Sequence, residues 1–157
     1  MNRAQKKAML APRAIQVAAL PWRLLDDAPQ VMLVTSRRSR RWLLPKGWQI
    51  EGKDLAQSAL TEAFEEAGVL GTISSQPIGS YRYLKQFDNG HSIPSQALVF
   101  GLAVTQELTD WPEISQRSRA WFSLEDAAAQ VQAPGLAQML RQLGLMERQL
   151  FSAEAVR

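Results

Sequence analysis

Glu62, Glu65 and Glu66 lie three and four residues apart in a run of helix-forming residues, Asp54 to Ala67 (DLAQSALTEAFEEA). At about 100° per residue, the three carboxylates leave one side of a helix, spread over roughly 100° of arc. Like charges at this spacing repel by roughly 0.2–0.5 kcal/mol per pair. They also crowd the C-terminal end, where the backbone dipole is already negative. Two readings account for such a cluster: an exposed face on which water and salt screen the repulsion, or a bound cation that removes it. In a chain with no cysteine and one histidine, His91, an all-carboxylate donor set would select a hard ion, magnesium or manganese. Gly47 and Gly52 in the preceding loop would let backbone carbonyls approach that ion. Arg37, Arg38, Arg40 and Arg41 fall within five residues, and a guanidinium fork matches phosphate oxygens in a bidentate way. Together these groups describe metal-assisted attack of water on a phosphoanhydride, with a spare carboxylate taking the proton.

Other chemistries are excluded. Without cysteine there is no disulfide framework, thiolate metal site or cysteine nucleophile. His91 alone leaves almost no ordinary zinc ligand set. The 157 residues, 46% apolar and 21% charged, fit one folded domain rather than a disordered chain. The net charge of +3 is too mild for a uniformly basic nucleic-acid surface. No stretch approaches 18 apolar residues, so no membrane-spanning helix is expected. The basic start, Met1 to Lys7, is not read as a signal peptide, because Arg13 interrupts the segment behind it and a strand pattern comes next. The cytoplasm is the expected location.

Residues 1–13 read as a loose arm. Ala14 to Trp22 reads as a strand that ends at Pro21 or lies at an edge there. Asp26 to Gln30 reads as a turn. Val31 to Thr35 and Arg41 to Leu44 read as a hairpin around the arginine turn. The helix from Asp54 to Ala67 has Asp54 and Gln57 placed for a capping box and Gly68 for a left-handed end. Ile78 to Phe87 and Ala97 to Thr105 read as strands joined through Asp88-Asn89-Gly90. Trp121 and Phe122 belong to a short strand, and Ser123 caps a helix from about Leu124 to Gln132. Pro134-Gly135 breaks that helix, and Leu136 to Phe151 is a last one. Strands on both sides of a central helix, with more helix at the end, predict one mixed α/β domain.

At these residues the sequence resembles the Nudix hydrolases. Their signature runs Gly, five residues, Glu, seven residues, then Arg-Glu-aliphatic-x-Glu-Glu-x-Gly-aliphatic. Gly47, Glu62, Ala63, Glu65, Glu66, Gly68 and Val69 fill its positions in register, behind a typical Leu44-Pro45-Lys46-Gly47. Lys53 stands where the first Glu belongs and Thr61 where the Arg belongs. In the family that pair usually supports the loop and helix by a salt bridge. Losing both charges together strands neither one, and Lys53 is free to meet an anionic substrate. The resemblance implies a mixed β-sheet sandwiched between α-helices, spanning 14–152. It implies Mg2+, with Mn2+ as the substitute, held by Glu62, Glu66 and a backbone carbonyl near Gly47. Glu65 would be the general base or a further ligand. The region from Glu107 to Glu113 could supply one more ligand, although no spacing identifies it.

Val31 to Gly47 and Val104 to Asp126, with Asp110-Trp111 and Gln116-Arg117-Ser118-Arg119-Ala120-Trp121-Phe122, look like the diphosphoinositol polyphosphate phosphohydrolase branch. That branch implies phosphate contacts from Arg37, Arg117 and Arg119, with Arg38, Arg40, Arg41 and Lys46 near enough to help. Arg41 and Arg119 flank aromatics that they could simply cover. Trp48 could stack on a base or line the site, or could pack in the core or a lid. His91 reads as a surface histidine, and Trp111, Trp121 and Phe122 as packing residues. The expected partner is a small phosphorylated molecule, a dinucleoside polyphosphate or a diphosphoinositol polyphosphate. The alternatives are a smaller nucleoside diphosphate derivative, an RNA 5′-pyrophosphate, or a Nudix-fold module that binds without cleaving. No oligomeric state is read from the sequence.

Overall fold

The structure, a computed structural model, describes residues 14–146. The expected arm over 1–13 and the stretch 147–151 of the expected last helix lie outside the described residues. Strand β1 (Ala14–Leu25) turns through Asp26 and Asp27 into β2 (Ala28–Thr35). The arginine turn leads to β3 (Trp42–Leu43) and β4 (Lys46–Gly47), and a loop leads to helix α1 (Leu55–Ala67). Strands β5 (Val69–Ile73), β6 (Gly79–Gln86), β7 (Ser92–Glu107) and β8 (Arg119–Ser123) follow, then α2 (Leu124–Gln130) and α3 (Pro134–Leu145). All eight strands form one mixed sheet in the order β3-β2-β1-β7-β5, with β4 on β1, β6 on β7 and β8 on β2. β1 and β7 pair in parallel, Val17 opposite Leu98 and Phe100 opposite Ala19, and the other pairs are antiparallel.

Both faces of this sheet are covered. Val17, Ala19, Met32, Val34, Phe100 and Leu102 pack against Ala59, Ala63 and Ala67 of α1. Ala18, Leu20, Val31, Leu33 and Val99 pack on the other side against Leu136, Leu140 and Leu143 of α3 and Ala127 of α2. This explains why β1 and β2 read as continuous apolar runs rather than alternating ones. The result is the expected sheet between helices.

The departures from the expected elements have local causes. Asp26 and Asp27 both take positive φ, 52° and 65°, and Leu25 pairs with Ala28. The turn is therefore two residues long, of the mirror-image kind that suits the strand twist, and β2 begins at Ala28 instead of Val31. Pro21 neither ends β1 nor sits at a free edge: it pairs with Leu102 in the parallel ladder. Ala19 turns its amide toward Pro45, so the missing N–H two residues on faces the point where β1 exchanges β4 for β2 as neighbour. β5 is an element that the sequence pattern does not announce. Its Gly71 lies where an added Cβ would collide with the Ala103 carbonyl, next to a register shift. Helix α2 stops at Gln130, and α3 starts two residues before expectation, with Pro134 in its first turn. Among the described residues no helix is long and apolar enough to cross a membrane.

Candidate active site

Helix α1 is fixed at both ends. The Asp54 carboxylate accepts from Gln57 N (2.7 Å), and Gln57 Oε1 accepts from Asp54 N (3.3 Å), closing the expected capping box. Gly68 ends the helix at φ 66° and donates to Phe64 O. Beyond it, each exposed carbonyl finds a donor in the segment before and within β8. Glu113 N donates to Glu65 O (3.0 Å), and Trp111 Nε1 to Glu66 O (3.1 Å). Arg119 donates to Ala67 O (2.8 Å), Gly68 O (3.2 Å) and Leu108 O (2.6 Å). Its guanidinium stacks 3.9 Å from the Trp111 ring centroid. An added Cβ at Gly68 would strike that ring at 2.6 Å. The carboxylate-bearing end of the helix is thus held by a positive group at its negative pole.

Of the three glutamates, Glu62 and Glu66 meet. Glu66 is only 4% exposed, and its side chain hydrogen-bonds that of Glu62. Burial, then the shared bond to Glu62, raises the Glu66 pKa well above the ordinary carboxylate value, and Arg117 works against the rise. Burial raises Glu62 as well, with the charges of Glu65 and Glu113 adding to it. Arg117 lies 3.4 Å from Glu66 Oε1 and 2.9 Å from Glu113 Oε1, and also donates to Thr35 O. Glu113 therefore joins the cluster through Arg117. The sequence points to its region without singling it out, because the link runs through a folded-back arginine. Among the described residues no three His, Asp or Glu side chains are arranged to hold a metal ion. Glu65 acts on the pair through its charge on Glu62.

The donor set still fits a divalent cation. A buried and a half-buried carboxyl in contact are short of positive charge, which a hard ion supplies. Gly47 leaves the room: a Cβ there would lie 2.5 Å from Glu62 Oε1, so a glycine lets this carboxylate rest against the backbone of β4. Glu62, Glu66 and the Gly47 carbonyl are the oxygens that would hold such an ion, with water completing its coordination.

A cleft of about 1060 Å³ reaches the site at Lys46, the residue before Gly47, while Gly47, Glu62, Glu65 and Glu66 themselves do not line it. Arg37, Arg38, Arg41 and Lys46 line it, with Arg82, Tyr83, Lys85 and Phe87 from β6 and the turn after it. Lys46 links cleft and carboxyls. Enclosure lowers its pKa to about 8, an effect that Glu66 opposes and that Lys85, Arg117 and Arg41 reinforce. Its ammonium lies 5.1 Å from the Tyr83 ring centroid. Arg38 spans the mouth to an exposed ion pair with Asp88. Arg37 reaches Gln116 Oε1 (3.4 Å), and Arg41 reaches Ser39 Oγ (2.8 Å) and Gln132 Oε1 (3.5 Å). Arg40, at φ 57°, bonds Ser118 Oγ (3.0 Å) away from the cleft wall. Arg117 and Arg119 do not line the cleft either, since they face the carboxyl cluster and the helix carbonyls. Lys85 and Tyr83 belong to no motif, although their alternation along β6 with Tyr81 is visible in the sequence. Lys53 donates to Thr61 Oγ1 (2.7 Å), so it ties the loop to α1 and does not face the cleft.

The NUDIX domain profile matches residues 14–143. The chain is 37% identical over 98 residues to Nudix hydrolase 4 of Arabidopsis thaliana, covering 62% of this chain and 45% of that one. It is 34% identical over 121 residues to diphosphoinositol polyphosphate phosphohydrolase 3-beta of Bos taurus, covering 74% of this chain and 70% of that one. It spans about half the length of several plant relatives it matches. The fold is shared with the C. elegans Ap4A hydrolase in a binary complex, at a TM-score of 0.66 and 19% identity over 86% of this chain and 98% of the other. The signature in register, the sheet between helices and the matched span agree: the chain belongs to the Nudix family.

Proposed function

We propose that this chain is a divalent-metal-dependent pyrophosphohydrolase that cleaves a phosphoanhydride bond in a polyphosphorylated small molecule. The observation that carries the reading is the Glu62–Glu66 carboxyl pair, with Glu62 against Gly47, joined through Lys46 to a cleft that Arg37, Arg41 and Lys85 also line. Glu62, Glu66 and the Gly47 carbonyl hold the ion, magnesium by preference and manganese as a substitute. Such an ion supplies charge neutralisation for the phosphates and lowers the pKa of water. Lys46 and Arg41 draw the phosphate chain toward the carboxyls, and Arg37 and Arg38 hold its far end. Water oxygen bonds to one phosphorus as the bridging P–O bond breaks, and Glu65 takes the proton that the water gives up. The favoured substrates are dinucleoside polyphosphates and diphosphoinositol polyphosphates, the classes that the relatives' names contain. Smaller nucleoside diphosphates leave much of so large and basic a cleft unused. A cytoplasmic location belongs to the same proposal.

Phosphate and pyrophosphate release in magnesium, across dinucleoside polyphosphates, mononucleotides, 5′-triphosphorylated RNA and inositol pyrophosphates, tests this. Turnover that stops in EDTA and in Glu66→Gln is the expected result. Tight binding on the panel with no turnover of any member would assign the chain to ligand holding instead.

A further inference from the structure

Trp48 and Phe87 are 49% and 38% exposed. Among the described residues they are the large aromatic side chains left open to solvent; the other exposed bulky apolar residues are aliphatic. Rings of this size usually bury themselves. These two come from different parts of the chain, the residue after Gly47 and the residue after β6. Both nevertheless approach the ammonium of Lys85, which lies 5.7 Å from the Trp48 centroid and 5.6 Å from the Phe87 centroid. The ring centroids are therefore within about 11 Å of each other. Lys85 and Phe87 both line the cleft, and Lys85 is near enough to Lys46 to disfavour its charge. Lys85 thus brings two open ring faces to the arginine-lined cleft: Phe87 lines it, and Trp48, outside that lining, stands across the lysine. Among the described residues no carboxylate pairs with Lys85.

We propose that Trp48 and Phe87, joined by Lys85, form a subsite for the base of a nucleoside-terminated polyphosphate, and that the cleft prefers such molecules to inositol pyrophosphates. The inference rests on the cleft being the phosphoanhydride site. A nucleobase offers a flat π face to an aromatic ring, and such stacking is tolerant of sequence and geometry. Lys85 then meets the first phosphate beyond the sugar, and Lys46 the next. A phosphorylated inositol has a saturated ring and no π face. Its phosphates are repelled by the negative faces of Trp48 and Phe87, so those two rings contribute nothing to holding it. Core packing for Trp48, one of the roles its sequence position allowed, does not agree with its exposure.

Calorimetric titration in EDTA separates the possibilities with three probes: diadenosine tetraphosphate, inorganic tripolyphosphate and inositol hexakisphosphate. Trp48→Ala and Phe87→Ala should each weaken diadenosine tetraphosphate about tenfold and leave the other two probes within about twofold. Trp48→Phe should restore most of the loss, since it keeps a ring. Lys85→Ala should weaken all three. Equal losses on all probes, an unchanged affinity for diadenosine tetraphosphate, or no binding of it by the parent chain overturns the subsite. Nothing is hydrolysed in EDTA, so a chain without turnover can still pass this test, and an active hydrolase can still fail it.

Discussion

Lys53 and Thr61, which stand where the family signature carries a Glu and an Arg, remain bonded to each other: the Lys53 ammonium donates to Thr61 Oγ1 at 2.7 Å. The link between loop and helix survives with its polarity reversed, the charge now on the loop and the hydroxyl on α1. Thr61 Oγ1 in turn donates to Gln57 O (3.0 Å), so the lysine is anchored to the second turn of the helix. The pair is exposed, and such a bond contributes roughly 0.5–1.5 kcal/mol.

Lys53→Ala should therefore lower the melting temperature by only about 1–5 °C for a domain of this size. Thr61→Arg alone places a second cation against Lys53 and should cost more. Combined with Lys53→Glu it creates the salt bridge of the family pattern, and the double variant should melt no lower than the parent. Melting curves of Lys53→Glu, Thr61→Arg and their combination form a mutant cycle that reads the coupling directly. A double variant as unstable as the sum of the singles would show that the two positions do not act on each other.

Glu66→Gln should separate stability from metal binding. In the metal-free protein Glu66 is buried, its pKa is raised, and it competes with Glu62 for one proton. An amide of the same shape removes the competition while Arg117 keeps its bond to Glu113. The metal-free variant should melt at or above the parent. Magnesium raises the melting temperature of the parent through binding linkage, by about 2.7 kcal/mol at a hundred times its dissociation constant, and should leave the variant unmoved. A variant that magnesium still stabilises as strongly would remove Glu66 from the metal site.

Arg119 faces five stabilising tasks at once: three carbonyls, a ring and the negative pole of α1. Arg119→Ala takes this donor from Ala67 O and Leu108 O, at roughly 1–3 kcal/mol each, while Gly68 O keeps Leu108 N, so a fall of several degrees in melting temperature is expected. Arg119→Lys cannot reach three acceptors with one ammonium and should recover only part. Affinity for inorganic tripolyphosphate, measured on the folded variant well below its melting temperature, should stay within about twofold. A tenfold loss there, which corresponds to about 1.4 kcal/mol, would return Arg119 to the phosphate-holding role that the sequence resemblance implied.

The glutamate helix is legible in the amino-acid sequence because its signals are local. Asp54, Gln57 and Gly68 act within a turn of their own positions, and the capping box and left-handed end form where their spacing places them. The fold class follows from the order of elements. The residues around the carboxyls are harder to place, because sequence proximity to an aromatic or to another arginine does not reveal direction. Arg37, Arg38, Arg40 and Arg41 are neighbours in the chain, yet three line the cleft and Arg40 turns to Ser118. Arg117 and Arg119 lie two residues apart, and one meets Glu66 while the other meets the end of α1. Glu113 and Lys85 enter the site through pairing across the sheet and a folded-back loop, which no local pattern records.

Gly47→Ala tests the metal site from the backbone side. The position needs no unusual φ, so alanine does not strain the chain there. Its Cβ would, however, lie 2.5 Å from Glu62 Oε1 and 2.6 Å from the carboxyl carbon. The Glu62 side chain is half-buried and can swing away, so the fold survives and the carboxylate moves off the Gly47 carbonyl. The expected outcome is a melting temperature within a few degrees of the parent in EDTA, with magnesium affinity at least tenfold weaker, about 1.4 kcal/mol. Alanine at this site with full magnesium affinity would mean that Glu62 does not need the backbone of β4 beside it. The ion would then have to be held from the Glu65 or Glu113 side of the cluster.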